Sequence, residues 1–409
     1  MGTSGRSRPL RTAACAALLA GIALTGCSPA PAPTPTSAST PVPKPVPKPV
    51  PKPAPTKAPA PTTKPTTPPP AAACEVPLPA GWRTAFAAGE LRAPAGERPV
   101  LTEVGPGARW TAVQLSGDRR RRAALIQDGR SPHTPRTLLD FADPVEHQLL
   151  SADFDGRWAA FAVLEGRTLG SPWTLHVWDE RTGRARVLAR SGGLPGPLPQ
   201  PVVRGGTVFW AQGTGGGKAA VRAAPATGGA PRTLHTGVLD APFPAGGLLA
   251  WREADASGTA TRLRALSFAT LRAVPLPAPL AELRDFRSPV SDGTTWAWIA
   301  GEQQPTLMVW RTGQPAPVAR VTGGAAAAEG IDQLRISGDL ITWRTPEAAY
   351  ALDLRSAAYS RITPRYGYAQ ARDGALAIAH SRGDAKSAGS RSVIQVVRTD
   401  RLPGLPRCG

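Results

Sequence analysis

An all-β fold built from repeated four-stranded units is what this sequence predicts, and three observations carry it. Short apolar strands led by glycine recur, with the leading glycines at Gly156, Gly206, Gly247, Gly293, Gly338 and Gly374, so 36 to 50 residues apart. Most close on an aromatic, as in Gly206-Thr-Val-Phe-Trp210, Gly247-Leu-Leu-Ala-Trp251, Gly293-Thr-Thr-Trp-Ala-Trp298 and Gly338-Asp-Leu-Ile-Thr-Trp343. A second strand follows in each unit, clearest in Thr174-Leu-His-Val-Trp-Asp179 and Leu307-Met-Val-Trp310, with apolar residues alternating and a turn behind it. Period-two alternation punctuated by Gly and Pro marks antiparallel strands. No window sustains an i, i+3, i+4, i+7 pattern free of proline and glycine, so helices are not expected. The repeat length suits a four-stranded blade with variable loops, hence a β-propeller. Six units run from Gly156 to Gly374. Leu115-Ser-Gly-Asp118 echoes Ile336-Ser-Gly-Asp339 and either opens a seventh unit over about 98–147 or belongs to a strand completing the last blade near the closure.

The chain opens differently. Arg6, Arg8 and Arg11 precede an apolar run from Ala13 to Leu24, too short to span a bilayer and the right size for a signal-peptide core. Leu24-Thr25-Gly26-Cys27 then resembles the lipobox of bacterial lipoproteins. The resemblance implies cleavage after residue 26 and lipid on Cys27, hence a cell-membrane or outer-membrane anchor facing the extracytoplasmic side. The alternative for the same residues is an ordinary secretory signal or a buried helix.

Residues 27–73 follow as the lipidated Cys27 plus a linker of Pro, Ala, Thr, Ser, Val and Lys, with no aromatic and no acidic side chain. Such a segment cannot bury enough apolar surface to offset chain entropy and is expected to be disordered. Proline at alternate positions favours the polyproline II form, so the segment reaches about 140 Å at most.

The remainder, 74–409, is the expected propeller domain. Of the net charge of +19, three arginines belong to the signal segment and five lysines to the linker, which leaves +11 on the folded part. Nearly all of that is arginine, and the chain contains no asparagine, a bias of GC-rich bacterial genomes rather than the footprint of nucleic-acid binding. Cys15 leaves with the signal peptide and Cys27 is the lipid site, so Cys74 and Cys408 remain. An exported compartment permits a disulfide and only one pairing exists; the bridge is expected, with two free thiols as the alternative.

Leu150-Ser-Ala-Asp-Phe-Asp-Gly156-Arg-Trp-Ala-Ala-Phe161 resembles the repeat of TolB-type, WD40-like β-propellers, and Ser288-Pro-Val-Ser-Asp-Gly293 is a second copy. The resemblance covers about 250 residues and implies the fold. The amino-terminal domain of TolB itself is missing, and a fold does not carry a job with it.

Chemistry is harder to find. His133, His147, His176, His235 and His380 show no spacing that puts two rings on one metal, though a central channel can gather distant residues. No Gly-x-Ser-x-Gly elbow is present, and Gly213-Thr-Gly-Gly-Gly-Lys218 lacks the spacing of a phosphate loop and reads as a hairpin. Asp153, Asp155, Asp292 and Asp339 recur before strands, where acids bond turn backbone groups. Arg119, Arg120, Arg121 and Arg122 form the one concentrated charge run, read either as a solvated strand edge or as a contact for cell-wall polyanions. No catalytic residue, metal or cofactor is expected. The expected function is an envelope lipoprotein whose propeller binds a protein or peptide partner without catalysis, held to the membrane by lipid and with no nucleic-acid partner. The alternative is a propeller enzyme (lactonase, lyase or glycan-acting hydrolase) with its site in the central channel.

Overall fold

Each repeat unit becomes one antiparallel sheet because its strands are apolar on both faces. In Thr295–Ala300, Trp296 and Trp298 pack against the preceding blade while Ala297 and Ile299 pack against the following one. A strand buried on both sides needs a sheet on either side of it, and a ring supplies that for every blade. The computed structural model describes residues 70–408 apart from 119, 128–133, 142, 144–145, 256, 259, 302–303, 323–330, 365 and 383–390. The signal segment, Cys27 and the linker up to residue 69 therefore lie outside the described residues, as do Arg119 and His133.

Seven blades are formed among the described residues. Blade 1 is Arg98–Val104, Trp110–Ser116, Arg121–Gln127 and Arg136–Asp140; blade 2 is His147–Phe154, Trp158–Glu165, Trp173–Asp179 and Arg184–Arg190. Blade 3 is Val202–Arg204, Thr207–Gly215, Lys218–Pro225 and Arg232–Leu239. Blade 4 is Phe243–Ala245, Leu248–Ala254 and Thr261–Ser267, with a bridge from Leu266 to Ala273 in place of a full fourth strand. Blade 5 is Phe286–Ser291, Thr295–Ala300, Thr306–Arg311 and Ala319–Val321; blade 6 is Asp332–Ser337, Leu340–Arg344, Ala349–Asp353 and Ala358–Arg361. Blade 7 supplies three strands of its own, Tyr368–Arg372, Ala375–Arg382 and Arg391–Arg398.

The stretch over 98–147 thus carries a whole blade, which decides the count at seven. The strand that completes blade 7 comes from upstream: Glu90 bridges Gln395, the Leu91 N–H donates to the Ile394 carbonyl at 2.8 Å, and the Val396 N–H donates to the Gly89 carbonyl at 2.8 Å. The core is divided among the blade interfaces, one apolar wedge to each neighbouring pair. Trp210, Trp251, Trp298 and Trp343, the aromatics on which the repeats close, each sit in such a wedge. The wedge between blades 7 and 1 joins Leu101, Val113 and Leu115 to Ala377 and Ile394, and the Tyr368 hydroxyl donates to the Leu101 carbonyl at 2.7 Å.

Before blade 1 begins, the incoming chain caps three outer edges in turn. Ala71–Ala72 runs parallel to the last strand of blade 5, Cys74–Glu75 parallel to the last strand of blade 6, and Glu90 closes blade 7. Open strand edges invite pairing with other chains, and this strap removes three of them. Pairing therefore reaches upstream of Cys74, into the last residues of the proline-rich segment. Between the strap segments lies a helix, Ala80–Ala88, which the sequence reading did not anticipate. Gly81 interrupts its pattern and only two large apolar residues mark it; Trp82 and Phe86, one turn apart, suffice to bury it against blades 6 and 7. The Trp82 Nε1–H donates to the Pro403 carbonyl at 2.7 Å.

Cys74 and Cys408 are joined in a disulfide with Cα atoms 5.9 Å apart. The bridge sits away from the ring closure. After residue 398 the chain turns back past the helix, and Leu405 N–H donates to Asp353 Oδ2 of blade 6 at 3.1 Å. The two ends are fastened outside blade 6, while blades 7 and 1 meet through their own wedge.

Candidate functional site in the central channel

The first strand of every blade faces the axis, and together they line a cavity of about 680 Å³. Four of these strands carry a bulge on the channel side, at Thr102, Leu150, Ser288–Pro289 and Gln333–Leu334. Bulges bend a strand and re-aim its side chains, and here Ser288 and Gln333 take left-handed φ values of 50° and 48°.

Five charged side chains from five blades meet in the channel. Asp153 of blade 2, 3 % exposed, is the hub. It accepts from the Phe154 N–H at 2.9 Å and from the Val203 N–H of blade 3 at 2.7 Å. Arg372 of blade 7 reaches it at 2.8 Å and Arg204 of blade 3 at 3.3 Å. Arg372 also lies 5.8 Å over the Trp110 ring and 3.9 Å from Asp373. Glu103 of blade 1 stands 3.9 Å from Arg335 of blade 6. Burial pushes the Glu103 carboxyl up, further than the charges of Arg335 and Arg372 pull it down. Burial opposes the charge of Arg372, but Asp153 and Glu103 outweigh it and raise its pKa. An ion pair between blades 2 and 7 spans blade 1, so the belt also ties the ring across its seam.

Two of the lining amides, Gln333 and Gln370, have a buried oxygen. Gln370 is 6 % exposed, and its Oε1 accepts no hydrogen bond; Gln333 Oε1 is likewise buried and unpartnered. A buried acceptor without a donor costs about 1–3 kcal/mol and calls for a reason.

The residues marked in the sequence are distributed as follows. Arg120 pairs in two hydrogen bonds with Asp140, Arg122 pairs with Glu97 and bonds Thr137, and Arg121 donates to the His147 carbonyl. The described part of the arginine run is thus held by blade 1 and its neighbour rather than presented as one patch. Asp155 and Asp292 bond turn amides, as expected, and each reaches a glycine N–H of the next blade, Gly206 at 3.4 Å and Gly338 at 3.1 Å. Asp339 instead pairs with Arg311, and Asp153 serves the channel. No described histidine lines the channel. His147 contacts the Asp143 carbonyl, His176 stacks on Phe161, His235 pairs with Glu253, and His380 contacts the Ser381 carbonyl. Among the described residues no three His, Cys, Asp or Glu side chains stand together as metal ligands. Gly213–Lys218 is a hairpin turn through Gly216 and Gly217.

Sequence reasoning missed Glu103, Arg204, Arg335 and Arg372. Their one visible signal is a charge in an otherwise apolar segment just ahead of a turn, as in Val202-Val-Arg204-Gly-Gly206.

No family model matches the chain, and no curated protein does. Solved structures similar to it include a prolyl endopeptidase, at 12 % identity and a TM-score of 0.50, over 81 % of this chain and 50 % of that one. The chain thus spans half the length of that enzyme. An oligogalacturonate lyase from Vibrio parahaemolyticus is similar at 10 % identity and a TM-score of 0.48, over 74 % of this chain and 90 % of that one. TolB from Acinetobacter baumannii is similar at 13 % identity and a TM-score of 0.39, over 71 % and 64 %. At such identities the likeness is one of fold. The described residues form a β-propeller of seven blades; the resemblance of residues 150–161 to the TolB-type repeat implies the propeller but not the number of blades.

Proposed function

We propose that this protein is a lipid-anchored envelope protein whose propeller binds a protein or peptide partner, without catalysis, through the face on which the channel opens. The observation that carries the reading is the state of the channel's charges. Asp153, Arg204 and Arg372 are committed to one another across blades, and Asp153 is filled by two backbone N–H groups as well. Groups fixed in this way hold a shape and a potential for a ligand; they are not free to pass protons. The lipobox at 24–27 and the proline-rich segment after it support the envelope address.

Capture from intact envelopes with the full chain as bait, under mild crosslinking, tests the reading. One defined partner should be recovered, with the same mass before and after incubation. Recovery of none, or of a cleaved partner, overturns it. A channel enzyme is the second reading, and Glu103 favours it, because a carboxyl group held up by burial in a cavity has the character of a general acid. Turnover of a lactone or uronic-acid oligomer that is lost in Glu103→Gln would establish that reading instead.

A further inference from the structure

We propose that the channel receives a carboxylate on an extended acidic peptide, with Arg335 as its anchor and the amide oxygens of Gln333 and Gln370 accepting N–H groups beside it. The inference rests on the partner-binding reading and gives the partner a chemistry.

Arg335 is the least committed cation of the belt. A guanidinium carries five donors. Arg335 donates from Nη1 to the Leu334 carbonyl at 3.0 Å, and its contact with Glu103 at 3.9 Å is beyond hydrogen-bond length. Arg204 and Arg372 already share Asp153. A planar carboxylate fits the open fork of Arg335 in the way this side chain recognises anions elsewhere. The lining as a whole does not decide the sign, since Arg204, Arg252, Arg335 and Arg372 stand among Glu103, Asp153, Asp240, Asp292 and Asp373; it is the open fork of Arg335 itself that calls for an anion.

The acceptors line the same cavity as that fork. They come from the inner strands of blades 6 and 7, which run parallel with Ile336 bridged to Arg372. The channel thus holds two buried amide oxygens without donors and, on the same lining, a cation whose carboxylate neighbour Glu103 lies beyond hydrogen-bond length. Gln333 is held there in a left-handed conformation inside a bulge, a cost of about 1–3 kcal/mol that structures keep at working sites. A carboxylate together with neighbouring peptide N–H groups supplies both missing partners. The cavity, about 680 Å³, is the size of a site for a short segment rather than a folded domain.

Titration calorimetry on the full chain tests this with three probes: acetyl-Gly-Glu-Gly-Glu-Gly-amide, the same peptide with Gln for Glu, and glutarate. The acidic peptide should bind about tenfold or more tightly than the Gln peptide, and Arg335→Gln should remove that difference without moving the unfolding midpoint. Gln370→Met should weaken the acidic peptide and raise the midpoint, because it removes an orphaned acceptor. Equal binding of the two peptides, no binding, or indifference to Arg335→Gln overturns the proposal. Glutarate binding as tightly as the peptide overturns the peptide half and identifies a small acid as the source of the carboxylate. A partner captured equally well by Arg335→Gln would sink this site while leaving the partner-binding reading intact. An acidic peptide bound with no partner captured does the reverse.

Discussion

Replacing Asp153 by asparagine should loosen the ring more than any other change of a single charge in the channel. The amide keeps the size of the side chain and one oxygen for the Phe154 or Val203 N–H, now 2.9 and 2.7 Å away. It loses both ionic partners, Arg372 at 2.8 Å and Arg204 at 3.3 Å. Arg372 is the costly loss, because its side chain is 15 % exposed and must then face the channel with Glu103 and Asp373 alone. Breaking a buried pair by removing one member costs about 3–5 kcal/mol. The remaining carboxylates near Arg372 place the expectation at the low end, about 3 kcal/mol. Arg204, a third exposed, is the control, and Arg204→Gln should cost less than about 1 kcal/mol. Guanidinium titration followed by tryptophan fluorescence reads both. A double-mutant cycle between Asp153→Asn and Arg372→Gln should show coupling of about 1.5 kcal/mol or more. A loss under about 1 kcal/mol for Asp153→Asn, or additive single and double variants, would refute the claim that this pair locks blade 2 to blade 7.

Three further outcomes follow from particular contacts. Burial beside Phe161 chiefly, and the charge of Arg190 secondarily, push the His176 pKa down to about 4, so the folded state keeps the ring neutral where the unfolded chain protonates it. Stability should fall by about 1–2 kcal/mol from pH 7 to pH 5 and level off below about pH 4, and His176→Phe should remove that part of the slope; an unchanged slope would discard this assignment. Gly293 has φ +100°, and a Cβ there would lie 2.7 Å from the Gly246 Cα of the neighbouring blade, so Gly293→Ala should destabilise by about 2 kcal/mol or more in the same titration. The double variant Cys74→Ser with Cys408→Ser should fold with its ring intact and lose about 2–5 kcal/mol, because the bridge fastens the chain ends to blade 6 while the seam closes elsewhere; loss of the ring's near-ultraviolet circular dichroism would count against that separation.

The parts of the fold legible in the sequence are those written in contiguous residues. The second and third strands of the blades announce themselves, since Gly206 to Trp210 or Thr174 to Asp179 show turn, alternation and an aromatic within six residues. Cys74 and Cys408 were legible as the two thiols left over. The inner strands of blades 3 and 4 were not, because the three residues Val202–Arg204 or Phe243–Ala245 are too short for a period to show. The closing strand was hidden for a related reason: Gly89–Leu91 holds blade 7 by backbone hydrogen bonds, which leave no mark on side-chain pattern. The channel belt was the least legible part. Glu103, Asp153, Arg204, Arg335 and Arg372 are brought together by ring closure, and their spacing along the chain carries no record of it. Asp153 was visible in the sequence but read as a turn residue; only its burial and its reach to blade 7 distinguish it from Asp155 two positions on.

The central claim is that a partner is bound at the channel mouth. A photo-crosslinking residue placed at Gln200, exposed on the channel rim, and separately at Leu169, exposed on an outer loop of blade 2, tests it in intact cells. One specific adduct is expected from position 200, suppressed by the acidic pentapeptide, and none from position 169. An adduct from position 169 alone, or from neither position, would contradict it.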